Sequence, residues 1–172
     1  MLKQENVTIF EAAFCFENLF VRVDVLQKIG DQLRVIEVKS KSFDPNEEDP
    51  FFDKRMYAKG KIKIKEAYAK YIYDVAFQAF VVENACPGFR ITSRLMLADK
   101  SSQTSVDGLN QLFLLKTNFE GRTQVEMKPG VNAAKLGIQI LCEVDVDEAV
   151  NAIHQDKDEG RPAADRCNVN AP

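Results

Sequence analysis

Residues 19–41 read LFVRVDVLQKIGDQLRVIEVKSK. Two runs rich in Val, Ile and Leu flank Gly30-Asp31, and that pattern predicts two strands joined by a tight hairpin. Asp24 stands in the first run, and Glu37 and Lys39 stand in the second. Charge placed among branched apolar residues is costly to bury; where it is buried it is paired, bound to a metal or kept for function. A metal site is the leading reading.

With Gly30 and Asp31 at the centre of the turn, Asp24 falls opposite Glu37, with Cβ atoms roughly 4.5–5.5 Å apart in such a pair. Side chains alternate along a strand, so Glu37 and Lys39 project to one side while Ile36 and Val38 project to the other. Two carboxylates that close repel unless a divalent cation or a proton lies between them. Oxygen-only ligands suit Mg²⁺ or Mn²⁺. A slip of one residue would turn Asp24 to the other face and remove the pairing. A second turn at Glu17-Asn18 sets Glu11 opposite Asp24, which makes Glu11 a candidate third ligand in a two-metal platform, with a structural role equally open. The bland alternative is a cross-strand ion-pair set on a solvated face, worth about 0.2–1 kcal/mol for an opposite-charge pair. Branched apolar residues at alternate positions of both strands weigh against it, because they predict a sheet covered on both faces.

The chain beyond this hairpin reads as one mixed α/β (α+β) domain over residues 1–158, with 159–172 a polar, disordered tail. Residues 66–84, EAYAKYIYDVAFQAFVVEN, carry apolar side chains at helical spacing and are stopped by Cys86-Pro87-Gly88. Residues 88–99, GFRITSRLMLAD, read as the fourth strand, followed by a polar loop to Asn110 and a last strand at 111–119, QLFLLKTNF. A further apolar run and a helix opened by Asp145 or Asp147 follow.

A strand carrying an acid (Asp24 in RVDVL), a hairpin, Glu-x-Lys on the next strand (Glu37 and Lys39 in IEVKS) and a helix with Gln (Gln78 in YDVAFQAFVV) resembles the PD-(D/E)xK nuclease superfamily. The similarity is greatest to the RecB and lambda-exonuclease-like branch, and to bacterial proteins that embed this core in a longer chain; it spans residues 8–97. The resemblance implies a restriction-endonuclease-like mixed sheet: a β-meander, a crossover helix and a returning strand. It also implies hydrolysis of phosphodiester bonds, of DNA first, in an exonuclease-type reaction with Mg²⁺ or Mn²⁺ as cofactor. Asp24 and Glu37 would hold the metal with the Val38 backbone carbonyl, Lys39 would position or deprotonate water or stabilise phosphate charge, and Gln78 would orient phosphate or water from the helix. Two departures stand out. Related nucleases carry a tyrosine four residues after the helix Gln, where this chain has Val82, and the helix that precedes their first strand is expected to be missing here, since strand-like sequence begins near Val7.

Residues 43–65 run from an acidic, proline-containing half into a basic half with Lys59, Lys61, Lys63 and Lys65. The alternation in KGKIKIK fits a short edge strand, either a solvated guard against aggregation or a flap that contacts phosphates. The net charge of -3 and pI near 5.3 argue mildly against tight nonspecific binding to nucleic acid. Cysteines at 15, 86, 142 and 167 lack zinc-ribbon spacing. His154, the only histidine, is expected to be structural or exposed. No signal peptide, membrane-length apolar run, nucleotide loop or nucleophile elbow is present, so a cytoplasmic protein without ATPase chemistry is expected. The expected partner is nucleic acid, with a larger parent chain or a homo-oligomer also open. Two alternatives to the enzyme remain: a noncatalytic nucleic-acid-binding or assembly module, and an incomplete fragment of a larger nuclease.

Overall fold

The hairpin turns fall where the arithmetic puts them, but the second ladder stops at Val25 with Ile36, one pair short of Asp24 with Glu37. In a computed structural model, which describes residues 1–158 apart from 49, 120, 122 and 156, three strands form a meander: β1 (Asn6–Phe16), β2 (Leu19–Ile29) and β3 (Gln32–Phe43). Phe16 pairs with Leu19 and Ile29 with Gln32, so the turns fall at Glu17-Asn18 and Gly30-Asp31. Gly30 takes φ 59°, a left-handed conformation that costs glycine little and fits the tight connection.

A loop with the one-turn helix α1 (Lys54–Tyr57) leads to α2 (Glu66–Ala85), which crosses the sheet and returns as β4 (Arg90–Asp99), parallel to β3. Next, β5 (Phe113–Thr117) and β6 (Thr123–Met127) pair only with each other. Then β7 (Leu141–Asp145) joins β4 antiparallel, and α3 (Asp147–His154) closes the described chain. The result is a mixed α+β fold around a five-stranded sheet of order β1-β2-β3-β4-β7.

The core lies between the sheet and α2, where Leu26, Leu33 and Val35 meet Ile72, Val75 and Val82, all fully buried. Each such side chain contributes about 1.5–3 kcal/mol when removed from water. His154 sits within 3.0 Å of the Ala76 carbonyl and edge-on to Phe80, which fixes α3 to α2.

Three expectations need correcting. The apolar run at 111–119 does not extend the main sheet: only Phe113–Thr117 is strand, within the separate hairpin, and β7 takes the place beside β4. Leu115 is exposed there, because β4 already has its ladder filled on both sides. Among the described residues the KGKIKIK segment makes isolated bridges in place of a strand, Ile64 with Phe52 and Ile62 with Asp158. Its isoleucines turn inward and Lys61 and Lys63 outward, so the alternation reflects burial without a strand ladder. The face opposite α2 is covered only in part: Ile36 is buried there, outside the core that packs on α2. By alternation Phe10 and Val38 lie on the face opposite α2, and both are exposed. The tail expected at 159–172 lies outside the described residues.

Candidate functional site

The burial pattern changes phase at Asp24. On β2 the inward residues are Val21 and Val23, then Leu26 and Lys28; on β1 they are Val7 and Ile9, then Ala12, Phe14 and Phe16. Both strands therefore switch parity, β2 at Asp24 and β1 at Glu11, which has φ 54°. A non-glycine residue in that left-handed region is uncommon, and here it interrupts the pleat without shifting the register. Pairing between β1 and β2 is unbroken on either side, at Phe10 with Val25 and Ala12 with Val23.

This kink coincides with the parting of β2 and β3. Their ladder ends at Val25 with Ile36, and Asp24 then supplies its side chain where a backbone acceptor would otherwise continue: the Val38 N–H donates to Asp24 Oδ2 at 2.8 Å. On the other flank, the β3–β4 register jumps between Val38 with Met96 and Ser42 with Ala98. From Glu37 onward β3 has left β2, and residues 39–41 are unpaired on both sides; Glu37, still paired with Leu95 of β4, and Lys39 stand at this transition.

Glu37 and Lys39 face α2, as alternation requires. Glu37 is buried; Lys39 Nζ lies 2.5 Å from its Oε1, and Gln78 Nε2 donates to its Oε2 at 2.7 Å. Gln78 Oε1 is buried without a hydrogen-bond partner. Asp74, one helical turn before Gln78, places a carboxylate 3.6 Å from Lys39, and the Tyr71 ring lies beneath the same ammonium at 5.7 Å. Burial works to lower the Lys39 pKa, but the hydrogen bond to Glu37 and the charges of Glu37, Asp74 and Asp24 prevail and hold it above its ordinary value. Lys39 is therefore an ammonium ion at neutral pH.

Asp24, Glu37, Lys39 and Gln78, drawn from three elements, meet at one place. Glu11 turns away from Asp24: its carboxylate pairs with the Arg22 guanidinium at 2.7 Å, both side chains being more than half exposed. Lys59, Lys61 and Lys63 lie on the exposed loop before α2, and Lys65 pairs with Glu47 at 2.6 Å. Asp74 and Arg22 were missed by the sequence reading. A signal existed for Asp74, whose spacing of four from Gln78 puts both on one helix face.

Asp74, Gln78 and Glu37 line an open cleft of about 390 Å³ with Val21, Arg22, Tyr73 and Phe77. A larger cavity of about 530 Å³ lies elsewhere, between the 43–52 loop and the β7–α3 junction. Its acids are engaged: Glu47 by Lys65, Glu143 and Asp145 by Arg94, and Glu148 by the Tyr57 hydroxyl. The smaller cleft is the better candidate because it holds the buried carboxylate and the orphaned amide oxygen.

Among the described residues no group of three or more His, Cys, Asp or Glu side chains is placed to hold a metal ion. Two carboxylates at a cleft still fit a hard cation of the Mg²⁺ type, which keeps waters and takes only one or two carboxylates along with substrate phosphate. The unpartnered Gln78 Oε1 suits such a hydrated ion, since it can accept a hydrogen bond from water. Compared with known proteins, the chain matches no protein-family model, no curated protein and no solved structure.

Proposed function

We propose that this protein is a metal-dependent phosphodiester hydrolase acting on nucleic acid, DNA first, with a PD-(D/E)xK-like site on a restriction-endonuclease-like sheet. The observation that carries the reading is the convergence of Asp24, Glu37, Lys39 and Gln78 where β3 leaves its ladder. Asp24 and Glu37, with the Val38 carbonyl, would hold Mg²⁺ or Mn²⁺. When bound, the cation supplies Lewis-acid stabilisation of charge on the scissile phosphate. Lys39, kept as an ammonium by its acidic neighbours, donates to a non-bridging phosphate oxygen and stabilises the charge that grows there as water adds to phosphorus and the P–O bond breaks. Gln78 anchors Glu37 through Nε2 and offers Oε1 to the attacking water. Asp24 also keeps the two strands parted by holding the Val38 N–H.

A second reading draws on a specific observation: both Glu37 oxygens are already engaged, by Lys39 and Gln78. A site closed in that way fits a noncatalytic nucleic-acid-binding or assembly module. Calorimetric titration of Mn²⁺, paired with digestion of end-labelled DNA, separates the two. The hydrolase reading expects Mn²⁺ binding that disappears in Asp24→Ala, and cleavage that disappears in EDTA and in Lys39→Ala. Nucleic-acid binding with no turnover in either metal would replace it with the binding module.

A further inference from the structure

We infer that the cleft takes an unpaired nucleotide, with Phe77 stacking on its base and Arg22 holding its phosphate; this rests on the hydrolase reading above. Phe77 is the misplaced residue of α2. The helix buries Tyr68, Ile72, Val75, Ala76, Ala79, Val81 and Val82, whereas Phe77 stands 46% exposed outside the core. A single exposed aromatic is ordinary on a protein surface. What distinguishes this one is its setting, on the wall of the cleft that contains Glu37 and Gln78, among the polar neighbours Arg22, Tyr73 and Asp74. An apolar docking patch for another protein would be flanked by apolar side chains; an aromatic ring beside a guanidinium suits a ligand that is flat and apolar on one part and anionic on the next.

Arg22 supplies the second half. It lines the same cleft, and its ion pair with Glu11 is exposed on both sides. Exposed pairs contribute little, so exchanging the Glu11 carboxylate for a phosphate costs little, and the planar guanidinium matches phosphate oxygens with two parallel hydrogen bonds. A base inside a duplex is stacked on both faces and cannot meet a side chain projecting from a helix. An unpaired base can, at about 10- to 100-fold in affinity per stacked ring.

The chain contains no tryptophan, so Phe77→Trp installs a single fluorophore at the stacking position. The experiment titrates it, in EDTA to prevent turnover, with a short oligothymidylate and with a blunt hairpin duplex of equal length. Saturable quenching by the single strand, at least tenfold weaker with the duplex, is expected. In parallel, anisotropy of a labelled oligothymidylate should show affinity falling on the order of 10- to 100-fold in Phe77→Ala. Arg22→Gln should weaken binding and flatten its salt dependence. Equal quenching by both ligands, absence of quenching where the wild type binds the strand, or no binding of either ligand by the wild type would overturn the inference. Cleavage with Mn²⁺ is read separately. Quenching without cleavage removes the hydrolase and leaves the stacking site, whereas cleavage without quenching does the reverse.

Discussion

Lys39 is the residue whose removal tests the electrostatics of the cleft most directly, and Lys39→Met removes the charge while keeping length and the contact with Tyr71. Breaking a fully buried pair by deleting one partner costs about 3–5 kcal/mol. Here the Glu37 side chain is 8% exposed and that of Lys39 26%, so water screens part of the interaction. Gln78 still donates to Glu37. A net loss of about 1–2 kcal/mol follows, and with about 2–4 °C per kcal/mol in a chain of this size the melting temperature should fall by about 2–8 °C in EDTA. Removing the ammonium also leaves Glu37, Asp24 and Asp74 less compensated, which favours a divalent cation in its place. At a hundredfold excess over Kd, Mn²⁺ adds about 2.7 kcal/mol, so Lys39→Met should recover its loss and gain at least as much from Mn²⁺ as the wild type. Asp24→Asn retains an acceptor for the Val38 N–H and should melt near the wild type, yet gain nothing from Mn²⁺. Scanning calorimetry of the three proteins with EDTA and with Mn²⁺ is the assay. A Lys39→Met that melts no lower than wild type in EDTA refutes charge compensation by Lys39, and one that gains nothing from Mn²⁺ refutes the carboxylates as ligands.

Other residues carry structural predictions. Lys28 is buried, donates to the carbonyls of Gln4 at 2.7 Å and Glu5 at 3.2 Å and lies over the Phe89 ring; Lys28→Met should lower the urea midpoint by the equivalent of about 1–3 kcal/mol and open residues 1–5 to trypsin at Lys3. Asp158 accepts from the Ile64 N–H at 3.1 Å and from the Tyr73 hydroxyl at 2.5 Å in a buried position, so Asp158→Ala should cost about 2–4 kcal/mol in equilibrium unfolding, while a change under 1 kcal/mol would show that water replaces it. Burial pushes the thiols of Cys86 and Cys142 up, whereas Cys15 is exposed; mass spectrometry after brief alkylation at pH 8 should find Cys15 modified well before the other two.

The meander was legible because two-residue turns leave few registers, and the turns at Glu17-Asn18 and Gly30-Asp31 fix every pair from Phe16 with Leu19 to Val25 with Ile36. The crossover helix was legible because 3.6-residue spacing persists from Tyr68 to Val82 and ends at Cys86-Pro87-Gly88. The fifth strand was misassigned because the runs at 113–117 and 141–145 are both apolar enough for a sheet, and only tertiary pairing decides which one meets β4. The same limit explains Glu11. Register arithmetic sets Glu11 across from Asp24, and it assumes an unbroken pleat, whereas Glu11 takes a positive φ and its carboxylate pairs with Arg22. Yet the break has a trace in the sequence. Inward apolar positions at 21 and 23 give way to Leu26, and the residue at the change of phase is an aspartate. A carboxylate at a parity change can accept the N–H that the parted strand no longer pairs, as Asp24 does for Val38. That requirement ties the acid to the kink for a reason independent of any metal, and it is why Asp24→Asn, which keeps the acceptor and drops the charge, separates Asp24's part in the fold from its part in the proposed chemistry.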